Sequence, residues 1–231
     1  MTSDDSAVNA LEGPASGRGS ILLSGYWLVL LLVAVSYALC AAQISPDPSP
    51  VVLLVQLATV AVTFWVAEVN RRIRRAGWIV VLAAGAAVAV VAVIGTKGYL
   101  LGILLSAASM VAYLVAPIVI LAHEARKARV DGQTLLAAIA VYILVGMFFT
   151  FIYSCVAFIS SEPIFGDGHV DSLTSQLFFS FTTLTTTGYG DMVPKGASVQ
   201  SIAIAEAITG QLFLVIAMAR VVSGWKPAST R

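Results

Sequence analysis

Six apolar runs, at 21–44, 51–69, 77–95, 99–122, 134–160 and 197–222, dominate this sequence. Each comes close to or exceeds the roughly 20 helical residues that cross about 30 Å of hydrocarbon at about 1.5 Å per residue. Lipid offers no water to peptide groups, so a spanning segment of this length must close its backbone hydrogen bonds within itself, as a helix does. Charged residues make up 11% of the 231 and hydrophobic ones 59%, whereas a soluble domain carries about 25% charged residues. The expected fold class is an all-α membrane protein with six transmembrane helices.

The segments between the runs break helices or carry charge: SPDPSP at 45–50, NRRIRR at 70–75, GTKG at 95–98 and HEARKARVDGQ at 123–133. Six crossings put both termini on one side. With the termini cytoplasmic, Arg18, Arg71, Arg72, Arg74, Arg75, Arg126, Lys127, Arg129, Arg220, Lys226 and Arg231 lie inside. These are eleven of the thirteen basic residues, with only Lys97 and Lys195 outside. Because basic loops stay cytoplasmic, a multi-pass protein of the cell membrane with both termini inside is expected. Arg71, Arg72, Arg74, Arg75, Arg126, Lys127 and Arg129 are then placed to meet anionic lipid.

The expected organisation is a disordered cytoplasmic tail at 1–20, a four-helix membrane domain at 21–122, a cytoplasmic linker at 123–133, a second membrane domain at 134–224 and a short cytoplasmic tail at 225–231. The first 20 residues are acidic, then Gly/Ser-rich, and lack the basic start of a signal peptide. With a net charge of +1 and no basic block beyond the four arginines of RRIRR, a nucleic-acid role has little to rest on, and no nucleic-acid partner is expected. Cys40 and Cys155 sit in apolar runs without a CxxC or histidine-rich neighbourhood, so they read as packed cysteines and not as a disulfide or metal site.

Between the last two runs, SLTSQLFFSFTTL at 172–184 is apolar and helical in length, but at about 20 Å it is too short to cross. It reads as a re-entrant half-helix capped by Asp171 or Ser172. The chain returns through TTTGYGD at 185–191. Non-helical backbone at membrane depth is tolerated only where protein buries it or where it lines a water-filled path, so residues 186–190 are expected to line a pore. Gly188 and Gly190 can adopt positive φ, and alternating conformations turn successive carbonyls toward one axis.

Thr186-Thr187-Gly188-Tyr189-Gly190-Asp191, with a short apolar helix before it and a span on either side, resembles the selectivity-filter signature of potassium channels. The resemblance covers 134–224, and it implies a re-entrant pore helix and filter loop between spans five and six. It further implies that K+ is held by the carbonyls of Thr186, Thr187, Gly188 and Tyr189, with the Thr186 hydroxyl completing the innermost site and Gly190 serving backbone geometry. K+ would be the permeating ion, with no cofactor. One such motif per chain implies a homotetramer, since four strands are needed to close the ring.

Two departures stand out. Thr187 occupies a position usually held by Val or Ile in similar channels, and its hydroxyl needs a partner behind the filter. Phe178 and Phe179 stand where such channels often carry tryptophans that brace the filter, and neither donates a hydrogen bond. Thr182 and Thr183 are expected to supply support from behind, with Asp191 and Tyr189 as groups needing it. Glu162, Asp167, Asp171 and Asp191 are placed to draw cations to the mouth, with a solvated loop as the alternative for the first three.

In the final span Gly210 matches the hinge glycine of related inner helices, which predicts a bend or a close helix contact. Helical spacing puts Gln211, Leu214, Met218 and Val222 on one face. That stripe is either a set of apolar rings that close by dewetting or ordinary helix packing. Glu206, the only charged residue in the interior of any span, is a functional candidate. It lies about 140° around the helix from Gln211, as a brace for the pore helix or a proton-sensitive gate.

Span four contains no Arg or Lys, so the repeated cations of a voltage sensor are absent; its Gly102 and Pro117 predict close packing and a kink. The sequence therefore reads as a potassium-selective channel that passes K+ passively and is not gated by a charged fourth helix. A weakly selective monovalent cation channel is the alternative. A secondary transporter fits less well, because internal repeats and paired broken helices are missing. No nucleophile, carboxylate pair or metal cluster suggests an enzyme, and His123 and His169 fall on opposite sides.

Overall fold

The computed structural model describes residues 16–42, 99–125, 132–166, 168 and 170–224, together with helical positions 58, 59, 61, 62, 85 and 86. Apart from those six positions, spans two and three lie outside the described residues, as do the arginines at 71–75 and Arg126, Lys127 and Arg129. The described chain is helical, with α1 at Ser16–Ala41, α2 at Tyr99–Glu124, α3 at Gly132–Ile159, α4 at Leu173–Leu184 and α5 at Ala197–Gly224. Gly102–Glu124, Gly132–Ile159 and Ala197–Ser223 are long and apolar enough to cross a membrane, and Trp27–Ala41 is a shorter apolar stretch. This is an all-α membrane protein.

Helix α3 is the centre of the packing, in contact with each of the other four. Helices α2 and α3 form an antiparallel pair. The Phe158 ring lies where a side chain on Gly102 would be, Ser106 and Ser154 share a hydrogen bond of 2.9 Å, and Tyr113 stacks on Phe151 with ring centroids 5.6 Å apart. At the other end the Thr134 hydroxyl donates to Oε2 of Glu124. Small residues at Ala112, Ala116, Ala137 and Ala140 let the backbones approach, which drives association where lipid removes the hydrophobic contrast. Pro117 is accommodated inside a continuous α2.

Helix α1 joins through Val29, Val33 and Cys40 in the same core, and the Ser36 and Tyr113 hydroxyls meet at 2.5 Å. Its C-terminal end touches the start of α4, where the Thr174 hydroxyl donates to the carbonyls of Cys40 and Ala41. The end of α1, the start of α2, the end of α3 and the starts of α4 and α5 thus share one end of the bundle. A second core of Phe149, Tyr153, Ile164, Phe165, Phe179, Val199 and Ala203 seals that end. Phe165 bridges Pro194 in antiparallel fashion, and the Lys195 amide donates to the Ile164 carbonyl, so the two ends of the long α3–α5 connection are tied together.

Candidate functional site

Helix α4 is 12 residues long, about 18 Å, and stops well short of a bilayer's thickness. Ser172 caps its start: its backbone is extended, and its hydroxyl accepts from the Ser175 amide at 3.1 Å. Asp171 turns the other way, and its Oδ2 accepts from the Ile164 amide. Burial raises the Asp171 carboxyl above its ordinary range, opposed by backbone bonds from Ile164 and Phe165.

At the far end, four successive amides close onto the last turn of α4. Thr185 N donates to Phe181 O, Thr186 N to Thr183 O, and Thr187 N and Gly188 N both to Thr182 O. The Tyr142 hydroxyl takes the Leu184 carbonyl. These contacts satisfy the terminal carbonyls that every helix leaves unpaired and hold the start of the following strand. Support from Thr182 and Thr183 therefore runs through their carbonyls, because the Thr182 hydroxyl turns back to Phe179 O within its own helix.

Beyond Thr185 the backbone alternates. Thr186 has φ of 56°, Gly188 of 49° and Gly190 of 83°, with Thr187 and Tyr189 between them outside that region. Glycine enters it freely, whereas a β-branched residue there costs on the order of 1–3 kcal/mol. The strain at Thr186 coincides with a contact from Gln211 Nε2 to its hydroxyl at 3.3 Å. The Thr187 hydroxyl meets that of Thr185 at 2.9 Å, and Thr185 donates onward to Phe181 O. Phe178 lies nearly parallel to Tyr189, with centroids 5.8 Å apart. Asp191 Oδ1 accepts from the Met192 amide. Residues 185 to 191 are exposed in the single chain, Tyr189 to 71%.

Helix α5 lies against this unit along one stripe, Val199, Ala203, Glu206 and Gly210. A side chain on Gly210 would collide with the Leu184 carbonyl, so the glycine is a point of close approach to the base of α4, within a helix that continues to Gly224. Glu206 is fully buried. It meets the Tyr153 hydroxyl at 2.7 Å and Ser180 Oγ at 2.5 Å, which joins α5 to α3 and α4. Leu214, Met218 and Val222 are exposed with Gln211, as are Ile204, Ile208, Leu212, Val215 and Ile216. Toward its C-terminal end α5 borders an apolar cavity of about 300 Å³ with Ile120, Val141, Phe213 and Arg220 among its walls. Arg220 reaches across it to the Glu124 carbonyl.

Tyr142, Tyr153, Ser180 and Thr185 are contributors that sequence reasoning did not single out. Tyr142, Gly146, Phe149 and Tyr153 recur at helical spacing on one face of α3, and polar hydroxyls on an otherwise apolar face were the available signal. Among the described residues no group of three His, Cys, Asp or Glu could hold a metal.

Residues 136–223, from α3 through the 185–191 segment to α5, match a family described as Ion channel. The match supports an ion-channel role for this part of the chain and leaves α1 and α2 outside it. No curated protein matches the sequence.

Proposed function

We propose that the protein is a potassium-selective channel, a homotetramer in which residues 186–190 of four chains surround the conduction path. The carrying observation is the alternation of positive φ at Thr186, Gly188 and Gly190 in an exposed irregular segment tied back to a half-length helix. Such alternation aims successive carbonyls at one side. Four copies would stack rings of oxygen from Thr186, Thr187, Gly188 and Tyr189, able to replace the hydration shell of K+. Gln211 would lie just beneath, in a wet cavity.

The apolar surface left on α5 supports assembly. Ile204, Ile208 and Leu212 lie on the face of α5 opposite the packed stripe, while Leu214, Met218 and Val222 lie between the two faces with Gln211. A homotetramer would cover the first set with neighbouring subunits or lipid and bring the second to the axis as a closing gate. Glu206 would act as a brace, linking the gate-bearing helix to the pore helix.

Reconstitution into lipid vesicles tests the function: a K+ gradient should drive K+ flux, with bi-ionic reversal potentials favouring K+ over Na+. Equal permeation would reject potassium selectivity in favour of the weakly selective reading. One observation favours that alternative: Phe178 supports Tyr189 by ring contact alone and offers it no donor.

A further inference from the structure

Glu206 is wholly buried within a single chain, and among the described residues nothing cationic packs against it. The two helices that enclose it, α3 and α4, contain no Asp, Glu, Lys, Arg or His. Their ionisable groups on this side are Tyr153, in hydrogen-bond contact with it, and Tyr142, three turns earlier on the same face of α3. The loop residues packed on Tyr153 at this end, Ile164 and Phe165, are apolar. On α5 the only other charged residue is Arg220, about 21 Å farther along the axis.

Three oxygen–oxygen contacts converge here. Tyr153 Oη lies 2.7 Å from Glu206 Oε2, Ser180 Oγ lies 2.5 Å from Glu206 Oε1, and the same Ser180 Oγ lies 2.8 Å from the Gly146 carbonyl oxygen. Each contact needs one proton between its oxygens, since two lone pairs facing each other at such distances repel. A hydroxyl carries a single proton and a carbonyl carries none. Tyr153 and Ser180 together supply two protons for three contacts. Thr150 contributes none to the chain, because its hydroxyl is aimed at the Gly146 carbonyl as well.

We infer that the third proton belongs to Glu206, which is a neutral carboxylic acid. Its Oε1–H donates to Ser180 Oγ, Ser180 donates to the Gly146 carbonyl, and Oε2 accepts from Tyr153. The relay runs in one direction from α5 through α4 to α3 and fixes the middle of α4 against both neighbours. Loss of the acid proton would return the Ser180 proton to the carboxylate and break its bond to Gly146. Glu206 is thus a positioning residue for the strand that follows α4. Only this last consequence rests on the proposed channel function.

Infrared difference spectra of the full-length protein in lipid vesicles test the inference, with Glu206→Gln as the reference. At neutral pH the wild type should show a protonated-carboxyl C=O stretch that the variant lacks; a carboxylate band in its place would overturn the assignment. Ser180→Ala removes the acceptor of the acid proton and should shift that stretch to higher frequency, and an unmoved band would overturn the relay. The Gln amide can donate to Ser180 and accept from Tyr153, so Glu206→Gln should keep K+ flux within about twofold of wild type. A well-folded Glu206→Gln protein without flux, beside a conducting wild type, would refute the neutral positioning role. Absence of flux in the wild type would instead count against the channel reading and leave the infrared result standing.

Discussion

Gly210→Ala is the sharpest test of how α5 meets the base of α4. The added methyl would overlap the Leu184 carbonyl oxygen and sit 3.0 Å from Leu184 Cδ1 and 3.2 Å from its carbonyl carbon. Comfortable contacts begin at about 3.5 Å, so α5 and Leu184 must separate by on the order of 1 Å. The obstacle is main chain, held in addition by the Tyr142 hydroxyl, and cannot rotate aside. Replacing a helical glycine by alanine gains about 1 kcal/mol of helix propensity, while overpacking costs about 1–3 kcal/mol. With a backbone partner the cost falls in the upper part of that range, leaving a net loss of about 1–2 kcal/mol. At roughly 2–4 °C per kcal/mol for a chain of this size, Tm should fall by about 2–8 °C. Displacement of Leu184 also moves Thr185 and Thr186, so K+ flux should drop. Thermal unfolding in detergent and vesicle flux provide the readouts, with Gly132→Ala, whose new methyl meets nothing within 4 Å, as the control. A Gly210→Ala protein with Tm at or above wild type and undiminished flux would refute the close-contact account.

Thr185→Val should cost about 1 kcal/mol and Thr187→Val under about 0.5 kcal/mol, because Thr185 links Thr187 to Phe181 whereas Thr187 is the outer donor; equal losses in thermal unfolding would contradict that order. Tyr142→Phe removes the donor to the Leu184 carbonyl and should lower stability by about 0.5–1.5 kcal/mol, read in the same assay. Asp171 has a raised folded-state pKa because of burial, so its favourable contribution exists below its unfolded value and is lost as pH rises through the folded one. Asp171→Asn should therefore match wild type in acid and gain relative to it as pH rises through the carboxylate range toward neutral. A gap that widens on acidification would reverse the sign and reject the assignment.

Much of the architecture was legible in one dimension, for reasons of scale. Helix α4 at Leu173–Leu184 answers to a stretch too apolar for a loop and too short for a crossing, and its Ser172 cap follows from local backbone chemistry alone. Positive φ at Gly188 and Gly190 was readable because a missing Cβ leaves that region open. The same conformation at Thr186 was not, since the strain is held by contacts from Gln211 and by amides closing onto α4. Spacing placed Thr182 and Thr183 behind this segment but not which of their groups bond there: their carbonyls do, while the Thr182 hydroxyl turns back to Phe179 O.

By itself the sequence determined that the chain lives in lipid, that its elements are helices, and that non-helical backbone at 186–190 must be buried in protein or line a water-filled path. Those follow from residue chemistry and length, quantities local to each segment. Tertiary structure alone decided which groups face Glu206. Tyr153 and Ser180 lie 53 and 26 residues away in the chain, on two other helices, and no periodicity within α5 names them. It also decided between the bend and the close helix contact that Gly210 left open, in favour of the contact with the Leu184 carbonyl, because closeness between helices depends on how whole faces pack.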